Sequence, residues 1–406
     1  MSGIIIDNVT EDLKILRVND TRTRFFEALW EIPEGITYNA YLLDTGEGYI
    51  LFDGWKEIYA SELLRILESE IEPRDLKYIV VHHMEPDHSG SLPLIARWAR
   101  NATIIGHPMV RRLLSPSRVE NPFKPVKDEE QLLLGRYTLE FHYAPWIHWP
   151  ETIFTFIREK KALLTCDAFG SYGVTPAVRD VECKDMERYL YWTKKYLVTV
   201  VGNYRKFILK SLEKLESKGL KPEMILPGHG LIWTGEPEKI IDFYRRTALA
   251  EPVKGKVTII YASMYGNTEK VVSGLAYNLQ RRGYRVVLHG FTDTGKPSIG
   301  DILADVIDSE LIVYAAPTYE ATLFPPMRNL AELICEKASS PKKVLVVASY
   351  AWGGVAGKRI TGILGSCGFK IIDVNEEQRL NITAPTAEKA VESLTNTALK
   401  ALEGEG

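Results

Sequence analysis

The chain has 406 residues, more than one ordinary hydrophobic core accommodates, so at least two domains are expected. Hydrophobic residues make up 45% and charged residues 25%, which excludes large-scale disorder; 50 Lys+Arg against 53 Asp+Glu leave a formal charge of -3, which offers neither nucleic acid nor an anionic membrane a field to follow. A small, specific ligand is the expected partner. Apolar runs such as 344–348 are strand-sized, and MSGIIIDNVTEDLK at the N-terminus lacks a basic segment followed by an apolar one, so a cytoplasmic chain is expected. Cys166, Cys183, Cys335 and Cys367 stand singly, without a C-x-x-C pair for zinc, a rubredoxin iron or a redox dithiol. Each is expected to be a small buried residue in a reducing compartment.

In chain order, residues 38–54 alternate apolar runs with turns and predict a hairpin around Thr45-Gly46-Glu47-Gly48. A helix over 60–70 follows, with Leu63, Leu64 and Leu67 on one face, then a short buried strand over 78–81 that ends in histidines. A helical stretch at 240–251 leads to a linker at 252–256. Beyond it, strands at 257–262, 285–289, 311–316, 343–348 and 370–374 alternate with amphipathic segments, the pattern of a doubly wound parallel sheet. The predicted domains are 1–251 and 252–406. No internal repeat, coiled coil or low-complexity tract interrupts them.

The eight histidines are unevenly spread, three of them in His82-His83-Met84-Glu85-Pro86-Asp87-His88, where a loop after a strand can aim side chains into one cavity. His148, Asp167 and His229 each follow an apolar run. Taken singly, such residues satisfy loop backbone more often than they bind metal. Taken together they form a ligand set.

The set His83-x-Glu85-x-Asp87-His88, His148, Asp167 and His229 resembles the metal site of the metallo-β-lactamase fold. Hydrolases of that fold carry H-x-H-x-D-H and usually zinc. Here Glu85 stands at the second histidine, as in the flavodiiron proteins, also called A-type flavoproteins, which hold two non-haem irons. Carboxylates are harder ligands than imidazoles and suit iron cycling between oxidation states. The resemblance implies His83, Glu85 and His148 on one iron, Asp87, His88 and His229 on the other, and Asp167 as the bridge. His82 has no counterpart as a ligand and is expected to be structural.

In the second half, Ser263-Met264-Tyr265-Gly266-Asn267-Thr268 separates the first strand from a helix over 269–282. Backbone amides there, with the hydroxyls of Ser263 and Thr268 and the positive helix end, can hold a phosphate. The loop resembles the flavodoxin phosphate loop, with Met264 and Tyr265 departing from its Thr-rich pattern. Read alone, it is equally a plain capped helix. Two further loops, Pro317-Thr318-Tyr319-Glu320-Ala321-Thr322 and Ser349-Tyr350-Ala351-Trp352-Gly353-Gly354, lie on the same sheet edge and can converge on one flat ligand. Tyr319, Tyr350 and Trp352 could flank an isoalloxazine ring, or serve as ordinary interface aromatics, while Gly353 and Gly354 admit backbone to its polar edge. FMN is the implied occupant.

The resemblance covers nearly the whole chain. It implies an α/β and α+β two-domain protein, with an N-terminal metallo-β-lactamase-like αββα sandwich and a C-terminal flavodoxin-like five-stranded sheet. It further implies an oxidoreductase that passes electrons through FMN to the di-iron site and reduces dioxygen to water, nitric oxide to nitrous oxide, or both. The paired cysteines of an appended rubredoxin are absent, so a separate donor such as rubredoxin, or another soluble carrier such as a reduced deazaflavin, is expected. A head-to-tail homodimer, or a dimer of dimers, would bring the FMN of one subunit beside the irons of the other. Trp149 and other aromatics near the ligands could shape a nonpolar gas pocket. Two alternatives stand beside this: a zinc-dependent hydrolase fused to a flavodoxin, and an electron carrier whose first half only scaffolds a partner.

Overall fold

Antiparallel hairpins joined by short turns open the chain. Gly3–Thr10 pairs antiparallel with Leu13–Asp20, and Ile36–Asp44 with Tyr49–Phe52. The computed structural model describes residues 3–378 and 384–404, and the chain parts into two units between Ala248 and Leu249. The hairpin predicted around residues 45–48 forms, with Asp44 opposite Tyr49 at its closed end. The earlier one is absent from the elements read off the sequence: Ile4 and Ile6 face outward, 41% and 44% exposed, which blurs the alternation.

In the first unit, seven strands run in the order Gly3–Thr10, Leu13–Asp20, Ile36–Asp44, Tyr49–Phe52, Leu76–Val81, Thr103–Gly106, Phe123–Pro125. Five more form a second sheet: Gln131–Leu134, Tyr137–Tyr143, Ile153–Ile157, Ala162–Cys166, Met224–Pro227. The sheets share one core, where Ile15, Leu43, Ile50 and Val80 of the first meet Leu139, Phe141, Ile157 and Leu164 of the second. Residues of opposite parity on the first sheet, such as Leu42, Leu51 and Ile79, are buried as well, so that sheet is covered on both faces. The helix expected over 60–70 is Ala60–Glu70, with Leu63, Ile66 and Leu67 buried. Strand Leu76–Val81 starts two residues before the predicted 78–81. The helix expected at 240–251 is Pro237–Ala248; Ala250, with φ +55°, is not helical.

In the second unit, five parallel strands follow the order Arg285–Phe291, Lys256–Ala262, Leu311–Tyr319, Lys343–Tyr350, Lys370–Gln378. This is the 2-1-3-4-5 winding of flavodoxin-like sheets. Asn267–Gln280 and Ala384–Glu403 pack on one face through Val271, Leu275, Ala390 and Leu394. The predicted loop 317–322 proves to be mostly strand. Pairing continues to Tyr319, and a two-residue turn at Glu320 and Ala321, both with positive φ (48° and 57°), leads into Thr322–Leu323. Such turns favour Gly or Asn, neither of which is present to signal one.

The expectation for the cysteines is overturned at three of four positions. Cys335 in helix Pro325–Ala338 and Cys367, just past helix Ala356–Ser366, form a disulfide, and Cys183 is only half-buried. Spacing cannot reveal a pair that tertiary packing brings to a Cα separation of 5.5 Å across 32 residues. The unfolded, unreduced chain is expected to titrate two thiols, Cys166 and Cys183, rising to four after reduction. Replacing both bridged cysteines by Ser should lower the second unit's stability by about 3–4 kcal/mol, the loop-closure value for a separation of 32 residues, as a shift in denaturant midpoint.

Candidate functional site

The residues singled out in the first unit sit where strands end. Strand Leu76–Val81 delivers His82 and His83, and the helical turn Pro86–Ser89, with Pro86 at its first position, presents Asp87 and His88. Asp167 follows strand Ala162–Cys166, and His229 follows Met224–Pro227. His148 lies in the connection between Tyr137–Tyr143 and Ile153–Ile157. Two glycines make room around His229. A side chain on Gly228 would come within 2.6 Å of His88 Cε1, and Gly230 adopts φ +80° with the Tyr189 hydroxyl against it.

All seven predicted side chains converge. His83, Glu85, His148 and Asp167 offer ligand atoms within 4.8 Å of one another, and so do Asp87, His88 and His229. Asp167 Oδ2 faces His83 Nε2 at 3.3 Å and His148 Nε2 at 3.8 Å, while Oδ1 faces His88 Nε2 at 3.0 Å and His229 Nε2 at 3.3 Å. Glu85 Oε2 is 2.7 Å from His148 Nε2 and 3.3 Å from His83 Nε2, and Asp87 Oδ2 is 3.4 Å from His229 Nε2.

Burial is the largest influence on His83, Glu85, Asp87, His88, Asp167 and His229 and disfavours the charged form of each, yet the opposite charges around them win. His83 is held well above the ordinary histidine range by Asp167, Glu151 and Glu85. His229 is pushed up to about 10 by Asp167 and Asp87, and Asp87 is driven down to about 2 by His88 and His229. Asp167 lies far below the usual carboxylate range, lowered by His88, His229 and His83. Among the described residues, both oxygens of Asp87, Oδ2 of Asp167, Nδ1 of His88 and Nε2 of His229 are buried without a hydrogen-bond partner. Buried polar atoms ordinarily have partners, so cations fit this cluster. Three carboxylates among four imidazoles make a harder donor set than an all-imidazole site and suit iron. Cys166 also lies near His88 and Asp167, but burial, with nearby carboxylates, pushes its thiol far up and keeps it a neutral, weak ligand.

His82 turns away from the cluster. Its Nδ1 donates to Asp53 Oδ2 at 2.7 Å, its Nε2 lies 2.8 Å from Thr155 Oγ1, and its ring stacks on Phe52. Most groups that support the cluster carry no signal in sequence. His83 Nδ1 donates to Glu151 Oε1 at 3.2 Å and His229 Nδ1 to the Thr37 carbonyl at 2.7 Å, which leaves each Nε2 facing the carboxylates. The Tyr196 hydroxyl donates to Asp167 Oδ1 at 2.8 Å. Trp149 stands edge-on to His83, and Phe26 edge-on to His229, as apolar walls. Glu151 has a pointer in its place three residues after His148 in the same loop, and Trp149 is already expected near the ligands.

In the second unit, Ser263, Met264, Tyr265, Asn267, Thr268, Pro317, Thr318, Ser349, Tyr350 and Ala351 line one open groove at the strands' carboxyl edge. Gly266, at φ +78°, turns the chain into helix Asn267–Gln280, two residues before the predicted start. Ser263 Oγ accepts from the Glu269 amide at 3.3 Å, and Thr268 Oγ1 pairs with Ser349 Oγ at 2.8 Å. Thr318 Oγ1 accepts from the amides of Val355 and Ala356 and so fixes the loop after strand Lys343–Tyr350. Tyr319, Trp352, Gly353 and Gly354 are not among the lining residues. Tyr319 packs edge-on to Phe324, and Trp352 is 78% exposed.

Comparison with known proteins matches residues 36–230 to a family model described as ODP family beta lactamase. A nitric oxide reductase from Moorella thermoacetica is 28% identical over 90% of this chain and 90% of its own. A flavo di-iron protein from Thermotoga maritima is 37% identical, with a TM-score of 0.92 over 99% of this chain and 100% of that one. A rubredoxin oxygen:oxidoreductase from Desulfovibrio gigas is 25% identical, with a TM-score of 0.90 over 98% of this chain and 99% of that one.

Two outcomes follow for the cluster. With His229 near 10 and His83 raised, both rings are protonated in the metal-free chain at neutral pH, and a metal must displace those protons. Metal uptake should therefore release protons in an unbuffered titration, and affinity should climb as pH rises towards about 10. Gly228→Ala should force His88 aside and weaken metal retention by about 10–100-fold, the usual cost of disturbing a ligand's support, as read by competition with a chelator.

Proposed function

The chain belongs to the flavodiiron protein family, and from that premise we propose that it is an oxidoreductase reducing dioxygen to water, nitric oxide to nitrous oxide, or both. The observation that carries this reading is Asp167, whose two oxygens face two different groups of ligand atoms. A carboxylate so placed suits a bridge between two metal ions. His83, Glu85 and His148 would hold one iron, Asp87, His88 and His229 the other, with Asp167 shared by both. FMN would be held in the groove of the second unit, where the amides that follow Gly266 would bind its phosphate and the residues from Pro317 and Ser349 onward would take its ring system. When bound, FMN and the iron pair supply the four electrons that take dioxygen to two waters, or the two that convert two nitric oxide molecules to nitrous oxide and water.

The protein's part is to hold these groups in a fixed, water-poor setting. Glu151 and Thr37 orient imidazoles, Tyr196 steadies the bridging carboxylate, and Trp149 and Phe26 line the cluster with apolar surface. A zinc hydrolase is the weaker reading: Glu85 replaces an imidazole that zinc would favour, and hydrolysis gives the groove of the second unit no task.

Electrons come from a separate soluble donor such as rubredoxin, and a head-to-tail homodimer brings the flavin of one copy to the irons of the other. Among the described residues, no helix is long and apolar enough to cross a membrane. The cytoplasm, where reduced electron carriers are kept, is the compartment this chemistry asks for. The Cys335–Cys367 disulfide argues the other way, because cytosolic thiols are ordinarily kept reduced.

Iron and flavin analysis of the purified chain should give two irons and one FMN. After anaerobic reduction, stopped-flow mixing with each gas in turn should reoxidise the flavin with at least one of them. Asp167→Asn and His83→Asn should each slow that step by about a hundredfold or more, since even changes behind a ligand cost 10–100-fold. Zinc in place of iron, or unslowed reoxidation in both variants, would sink the proposal.

A further inference from the structure

We infer that Trp146 and Tyr204 are positioning residues for His148, their stacked rings anchoring the loop that presents this ligand. The inference rests on the metal site proposed above. His148 is the least buried histidine of the set: its side chain is 9% exposed, whereas those of His83, His88 and His229 are fully buried. His83 and His229 are also oriented from behind, through Nδ1, by Glu151 and by the Thr37 carbonyl. Among the described residues nothing hydrogen-bonds to Nδ1 of His148, whose only such partner is Glu85 at Nε2. A ligand without that second bond owes its orientation to the packing of its loop.

The packing of that loop centres on Trp146. This residue adopts φ +67°, a left-handed conformation that is costly for a bulky side chain and persists only where the surroundings over-determine it. Core burial is not what determines it, since Trp146 remains 38% exposed. Two contacts hold it. Its amide donates to the Trp149 carbonyl at 2.7 Å, closing the loop around His148, and its ring stacks on Tyr204 with centroids 5.4 Å apart and planes 26° apart. Phe207 adds a third ring 6.3 Å from Trp146, and Lys206 and Lys210 lie over Phe207.

Tyr204 is itself well fixed. It closes a tight turn, Gly202–Tyr204, that follows a π-helical stretch, Leu197–Val201, and the residue before that stretch is Tyr196, the donor to Asp167. One short segment thus reaches the bridging carboxylate at one end and, through the ring stack, the His148 loop at the other.

The test uses the full-length, flavin-loaded chain, stripped of metal and reloaded with cobalt(II), whose visible absorption reports each ion's ligation. Chelator-driven cobalt loss is followed in wild type, Trp146→Ala, Tyr204→Ala, the double variant and Trp146→Phe. Both alanine variants should release one of the two ions about tenfold faster than wild type or more. The double variant should be no worse than either single one, because both remove the same contact. Trp146→Phe, which retains a ring to stack, should stay close to wild type, and the metal-free melting temperature should be alike in all five. Single variants that release cobalt at the wild-type rate, effects that add in the double variant, or a metal-free melting temperature that falls in step with cobalt loss would overturn the inference alone. Wild type that takes up no cobalt pair would overturn the reading of the site and this inference with it.

Discussion

Asp167 has one oxygen turned to His83 and His148 and the other to His88, His229 and the Tyr196 hydroxyl. A carboxylate buried at this depth is stable only if positive charge surrounds it, and the first unit supplies that charge twice over. Without metal, the raised pKa values of His83, His88 and His229 let protons balance Glu85, Asp87 and Asp167. With metal, the same imidazoles must be neutral and cations take the place of the protons. The three carboxylates therefore have positive charge beside them whether the pocket holds protons or metal.

Holding so many charges at such short range constrains the backbone more than the core does. Ligands at strand ends need the chain to turn at once, which explains a left-handed Cys166 just before Asp167 and glycines on both sides of His229. Gly228 is needed for space rather than for its φ, because the ring of His88 occupies the position of its missing side chain. Asp53, also left-handed, ties down His82 and with it the end of the strand that delivers His83. Such conformations are tolerated where neighbouring hydrogen bonds and packing leave the chain no alternative.

The second unit follows a different physical logic. Among the described residues that line its groove none is charged, and the groove offers backbone amides, hydroxyls and apolar surface where parallel strands end. Much of its polar capacity is already spent on internal order. Thr318 holds the loop after strand Lys343–Tyr350, and Thr268 with Ser349 ties the first loop to the third. A groove preorganised in this way favours a flat, neutral ring system with one anionic end, whereas the cluster of the first unit favours hard cations.

Much of this was legible in the sequence because local spacing carries it. The His83-x-Glu85-x-Asp87-His88 run, single ligands after apolar runs, and five strands alternating with helices each depend on neighbours within a few residues. The sequence by itself determined which residue types could bind metal and which loops face one sheet edge. The resemblance already implied the division of those residues into two groups about Asp167; only the tertiary structure decided that Glu151, Thr37 and Tyr196 stand behind them. It also decided that Tyr319 and Trp352 fall outside the groove lining and that Cys335 pairs with Cys367. The reason is the same in each case: these relations join residues far apart in the chain, whose meeting is set by how sheets and helices pack, and composition or periodicity within a segment carries no trace of it.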